Sequence, residues 1–216
     1  MNSDPMRSLV VIQEYAQHVD AVDREFKREA GIFSERMHCG RGCSMCCSQM
    51  FSISSIEAAH ISMAVKAMPE AERDRLRVAA IEYVERAKAM TGQVDSTSNE
   101  ESITPRPGLR LPCPALHEDA CSIYEARPII CRKWGVPIFN PSKPLELQAC
   151  ELNFRAGEEV DGSGIVEPQA KLLEHWVQIK GRATRELNRP ISTATVAEAL
   201  IGDYEEILIG KSGEYR

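Results

Sequence analysis

Apolar positions recur along much of this chain at steps of three and four, the period of a helix that buries one face. From Met6 to about Ala30 they fall at Leu9, Ile12, Tyr15, Val19, Val22 and Phe26, which predicts an amphipathic helix ended by Gly31. Ser54, followed three residues on by Glu57, predicts a capping box opening a helix that reaches about Met68. Pro69 restarts the pattern, and Leu76, Ala80, Tyr83, Val84 and Ala87 carry it to about Met90. Late in the chain, Leu172, Leu173, Trp176, Val177 and Ile179 predict one helix, and Val196, Leu200, Ile201, Tyr204, Ile207 and Leu208 a second. Strand-like alternation is scarce, and no internal repeat is visible. The predicted fold class is mainly α, with helices packed around an irregular, cysteine-rich, metal-binding core.

Three parts follow from this pattern. An N-terminal helix occupies 1–36, a cysteine-cluster domain 37–150, and a helical extension 151–216. The polar stretch 91–108, which holds Pro105, Pro107 and Gly108, lacks the apolar surface to order itself and predicts a flexible insertion within the cysteine domain.

Composition narrows the classes of function. Of 216 residues, 43% are hydrophobic and 27% charged, ordinary values for a globular chain. The net charge is -6 and no run of Lys or Arg forms a basic stripe, so nucleic acid is not expected as a partner. No stretch approaches the roughly 20 apolar residues that span a bilayer. The start of the chain, with Asp4 and Glu14 around a short apolar patch, does not read as a secretory signal. The expectation is a cytoplasmic protein without membrane contact. In that compartment thiols stay reduced, so cysteines point to metal or catalysis, although an even count also suits disulfides.

Eight cysteines form the outstanding chemical feature. Cys39, Cys43, Cys46 and Cys47 crowd into C-x3-C-x2-C-C among Gly, Arg and Ser. Cys113, Cys121 and Cys131 lie in a Pro-containing segment, and Cys150 comes last. Thiolates are soft ligands, and four complete the coordination sphere of Zn2+ or of an iron–sulfur cluster. Eight suffice for two such centres, or for one with thiols to spare. Adjacent residues project in diverging directions, so Cys46 and Cys47 fit different centres or the spread corners of a larger cluster. Several thiols in one loop with distant partners favour an iron–sulfur cluster, of the 4Fe–4S kind, over Zn2+. Either centre is anionic. Gly40 and Gly42 bring N–H groups near sulfur, and Arg41, Arg127 and Arg132 are candidates to offset its charge or, alternatively, to make ordinary ion pairs. Pro128 predicts the first position of a short helix whose positive end favours the Cys131 thiolate.

The runs CGRGCSMCC and CPALHEDACSIYEARPIICRKW resemble the YkgJ-type cysteine-cluster family, a domain described as zinc- or iron-chelating. The pattern comprises the loop cysteines Cys39, Cys43, Cys46 and Cys47, then Cys113, Pro114 and Leu116, and finally Cys121, Ile123, Tyr124, Arg127, Pro128, Cys131 and Arg132. The resemblance spans roughly 37–150 and implies metal binding by the cysteines, without supplying a reaction. The family includes a flagellin lysine methylase, which brings in an alternative: a cluster-dependent enzyme, either protein lysine methyltransferase-like or an oxidoreductase. A metal-free thiol-redox role for Cys46 and Cys47 is a third reading. The leading function is a metal-binding protein with an electron-transfer or structural role.

The remaining residues read more plainly. His38 and His117 are candidate substitute ligands, whereas His60 and His175 suit structural or solvated places. Trp134 suits core packing or shielding of a centre, and Ile123 and Tyr124 suit packing of the metal loop. No hydrolase triad, phosphate loop, zinc-protease helix or dinucleotide fingerprint is present. The C-terminal helices offer a surface for a protein partner or a second copy.

Overall fold

The computed structural model describes residues 5–40, 42–91, 109–143, 147–155 and 158–208. Arg41 and all but Thr91 of the expected flexible insertion lie outside the described residues. The described chain is mainly α. Seven α-helices are joined by 3-10 turns and three two-stranded ribbons of two residues per strand.

Helix α1 (Pro5–Ile32) buries Val11, Ile12, Tyr15, His18, Val19 and Val22 along one stripe. Leu9, expected on that stripe, is 43% exposed, and its place is taken by Ser8 and Val11. Helix α2 (Ser55–Lys66) opens with the expected capping box: Ser54 Oγ accepts the Glu57 N–H, and Glu57 Oε2 accepts the Ser54 N–H. Helix α3 (Glu70–Thr91) buries Leu76, Ala80, Tyr83 and Ala87 at helical spacing. After the central irregular segment, α5 (Val166–Leu187) buries Gln169, Trp176, Ile179, Ala183 and Leu187. Val177 points away and is 55% exposed, because the face that meets α1 is set by Trp176 and Ile179.

The last expected helix is two. Chain α6 (Val196–Ile201) carries its own capping box from Thr195 and Glu198, and α7 (Tyr204–Leu208) follows after Gly202 and Asp203. Gly202 ends α6 because its extended backbone leaves the helix, and Asp203 Oδ1 then accepts the Glu206 N–H to start the next turn.

Packing joins elements distant in sequence. Helix α5 runs antiparallel to α1. Arg7 at the start of α1 donates to the Glu186 carbonyl, and Arg28 near its end donates to that of Gly164. Helix α2 packs against α6 and α7, and α3 against α6. Strand β1 (Ile53–Ser54) pairs antiparallel with β6 (Thr193–Ala194), tying the entry of α2 to the entry of α6. One hydrophobic core contains residues of α1, α2, α3, α5, α6 and α7, and Leu111, Ala115, Ile123 and Ala126 extend it beneath the cysteine segment.

Candidate metal centre

The thiol loop follows α1 directly. Gly42, at φ +94°, makes the reversal that lets the Cys43 N–H return to the Gly40 carbonyl at 3.1 Å. Cys46 and Cys47 sit in a 3-10 turn, Met45–Ser48, where the neighbouring Cys47 thiol, with burial, raises the Cys46 thiol well above its usual range. All eight cysteines are free thiols; Cys39 is exposed, Cys150 buried, and the other six half-buried.

A second segment is strapped along this loop. The Cys113 N–H donates to the Cys47 carbonyl at 2.7 Å, and the Leu111 N–H to that of Ser48 at 2.8 Å. A hairpin of β2 (Leu116–His117) and β3 (Ala120–Cys121) turns through Glu118 and Asp119, both left-handed at φ 48° and 57°. It sets Cys121 opposite Leu116 and close to Cys113. The Leu116 N–H donates to the Cys113 carbonyl at 3.0 Å, and backbone N–H dipoles at Ala115 and Leu116 lower the Cys113 thiol, as one at Ile123 lowers Cys121, against the larger effect of burial. Donors of this kind stabilise thiolates. Helix α4 (Ile129–Lys133) then brings Cys131 in its first turn, with Pro128 at the cap position.

Cys46, Cys113 and Cys121 all act electrostatically on Cys131, and Cys46 acts on Cys113 and Cys121 as well. Thiols from both segments therefore share one neighbourhood. Burial pushes Cys113 up to about 12 and raises Cys121 and Cys131 too. This corrects the expectation for Cys131: burial and neighbouring thiolates outweigh the positive end of a five-residue helix.

On the other side of the loop stands Cys39, in the field of Cys150, Cys43 and Cys46. Asn153, which the sequence reading passed over, organises this side. Its buried amide donates to Cys39 Sγ at 3.3 Å, to Met37 Sδ at 3.5 Å and to the Gly135 carbonyl at 2.7 Å, while its oxygen accepts the His38 N–H at 3.0 Å. Asn153 is held in turn by its own N–H on the Cys150 carbonyl. Gly135, at φ +122°, leaves space for sulfur: a Cβ there would stand 2.6 Å from Cys39 Sγ. Beside these residues lies a cleft of about 390 Å³, lined in part by Met45, Met50, Arg110, Trp134 and Cys150.

The nearby cations divide. Arg132, 3% exposed, is consumed structurally: it donates to Asp23 at 2.5 Å and to the carbonyls of Arg127 and Glu125. Arg127 lies 3.8 Å from the Tyr124 ring and lowers the pKa of Cys121 and Cys131. Tyr124 is 56% exposed under that guanidinium, not packed into the loop, whereas Ile123 is buried. His117 is exposed in the hairpin, and His38 contributes a backbone N–H. His60 packs edge-on against Tyr15. His175 shares a hydrogen bond with His18, a residue that sequence spacing did not mark.

Among the described residues, no three Cys, His, Asp or Glu side chains stand in a closed coordination geometry. The chemistry of the donor set nevertheless suits a thiophilic centre: soft sulfurs on distant segments, and a Cys39 sulfur that accepts from the Asn153 amide and stands where a side chain on Gly135 would displace it. The family model CxxCxxCC, described as "Putative zinc- or iron-chelating domain", matches residues 38–145, half of the chain. No curated protein and no solved structure matches the chain.

Proposed function

Because this chain belongs to the CxxCxxCC family of zinc- or iron-chelating domains, we propose that its eight cysteines supply the thiolates, four to a centre, of an iron–sulfur cluster of the 4Fe–4S kind and/or of Zn2+. The ligands of this reading are drawn from Cys39, Cys43, Cys46, Cys47, Cys113, Cys121, Cys131 and Cys150. The observation that carries it is the Cys113 N–H on the Cys47 carbonyl, which draws together the backbones of two cysteine-bearing segments at residues 66 positions apart in the chain. When bound, the cluster would supply one-electron chemistry, and zinc would supply a crosslink.

The chain's own part is to gather and moderate charge. Asn153 presents its amide to Cys39, backbone dipoles at Ala115, Leu116 and Ile123 lower the Cys113 and Cys121 thiols, and Arg127 adds a positive charge. These are the features that set sulfur basicity around a thiolate centre. Electron transfer or structural support within a cytoplasmic protein is the role this suits. The test is an absorption spectrum of protein purified without oxygen, with elemental analysis. A brown sample with a broad band at about 400 nm supports iron–sulfur; a colourless one with stoichiometric zinc supports the alternative ion; a metal-free sample overturns both.

The cleft beside Cys150 favours a second reading, a cluster-dependent enzyme, since it provides room for a small molecule next to candidate ligands. Calorimetry of anaerobically reconstituted protein with S-adenosylmethionine tests the methyltransferase version; absence of heat removes it.

A further inference from the structure

His18, in the middle of α1, is 1% exposed, yet it does not end inside the core. Its Nδ1 stands 3.1 Å from Nδ1 of His175, which projects from α5 and is exposed to solvent. The two imidazoles lie 157 positions apart in the chain and meet because α1 and α5 pack against each other. Both rings are oriented by their neighbours. Trp176 stacks on His18, with planes 7° apart and centroids at 5.6 Å. Tyr15, one turn earlier in α1, supports Trp176 at 5.5 Å. The two imidazole planes cross at 69°.

A hydrogen bond between two ring nitrogens requires one of them to be bare. A lone pair therefore already points into the gap between the helices. The spacing suits another bridge as well. Two nitrogens bound to one ion at about 2.0–2.1 Å, at angles between square and tetrahedral, stand about 2.8–3.4 Å apart. The observed 3.1 Å falls inside that range. A metal ion can replace the shared proton with little movement of either ring, the donor imidazole carrying its proton on Nε2 instead. Because His175 opens to solvent, water can fill the remaining positions. Neutral imidazole suits Zn2+, Ni2+ and Cu2+ better than Mg2+ or Ca2+. Lys133 bears on His18 with a positive charge, so the site should be weaker than a thiolate centre.

We propose that His18 and His175 form a second metal site, built without cysteine, at which a divalent cation of the Zn2+ or Ni2+ kind clamps α1 to α5. It stands independently of how the thiols are used.

Ni2+ titration of anaerobically purified protein, followed by calorimetry, absorption and thermal unfolding, tests it. Wild type should take up one equivalent that brings no sulfur-to-nickel charge-transfer band and that raises the unfolding midpoint. His175→Gln keeps a hydrogen-bonding side chain opposite His18 but loses a ligand outright. It should bind that equivalent at least about 10-fold more weakly, the least that disturbing a ligand's support costs, and lose the rise in midpoint. His117→Gln, in the exposed hairpin, should match wild type. Uptake accompanied throughout by a sulfur-to-nickel band, or equal binding in His175→Gln and wild type, overturns the proposal.

Discussion

The backbone of Gly135 passes so close to Cys39 that a Cβ on it would stand 2.6 Å from the thiol sulfur. The same residue has φ +122°, a conformation that L side chains rarely adopt. Gly135→Ala is therefore expected to act twice. Backbone strain should lower apo stability by about 1–3 kcal/mol, and displacement of Cys39 should weaken Zn2+ binding by an order of magnitude or more. Thermal unfolding and a competition titration measure the two effects; normal values for both would show that the thiol swings aside freely.

Asn153 connects four groups through one amide, and its loss should be felt in both folding and metal binding. Asn153→Ala leaves the His38 N–H and the Gly135 carbonyl without their partner, at a cost of about 1–3 kcal/mol. It also removes the donor to Cys39, for which a 10- to 100-fold loss of affinity is typical. Asn153→Asp should bind metal more weakly still, since a carboxylate faces an anionic sulfur. Equal affinities for Asn153→Asp and wild type would argue that this amide does not serve the centre.

Glu57 caps two helices. One oxygen closes the capping box of α2, and the other accepts the Ile129 N–H at 3.1 Å, fixing the start of the helix that carries Cys131. Glu57→Ala should cost about 2–3 kcal/mol, above the usual loss of a single cap. Cys131 should then react faster with an alkylating reagent in the apo protein. Loss of stability with no change in Cys131 reactivity would mean that α4 is held by other contacts.

Two buried groups give the apo protein opposing pH dependences. Burial, reinforced by His175 and Lys133, lowers His18 from about 6.5 to about 4. Between those values the unfolded chain takes up a proton that the folded one refuses, so stability falls as pH drops. Burial raises Glu29 from about 4.5 to about 7, although Gln169 donates to both of its oxygens. Between those values the folded chain keeps a proton that the unfolded one has lost, so stability falls as pH rises. Each is worth about 3 kcal/mol at full extent, and they oppose each other from about pH 4.5 to 6.5. Glu29→Gln should leave a loss toward acid, and His18→Phe a loss toward neutral pH. Urea unfolding across that range measures both; parallel curves for the two variants would contradict the assignment.

The legible parts of the fold were those governed by local rules. The Ser54–Glu57 box and the periods through α1, α3 and α5 follow from nearest neighbours on a helix surface. Leu9 and Val177 end up exposed because burial depends on which partner a helix meets, and that is set by α1 against α5. The break at Gly202 was hidden in a continuous apolar pattern. For the candidate site, thiol spacing marked the candidate ligands, but not Asn153 or Gly135. Nothing in their local sequence distinguishes an amide that reaches across 114 positions to a sulfur, or a glycine whose backbone passes against that same sulfur.

X-ray absorption at the metal edge of anaerobically purified protein tests most directly whether these sulfurs gather around an ion. A first shell made of sulfur alone, at about 2.3 Å, is the expected result. A shell dominated by oxygen and nitrogen would contradict it.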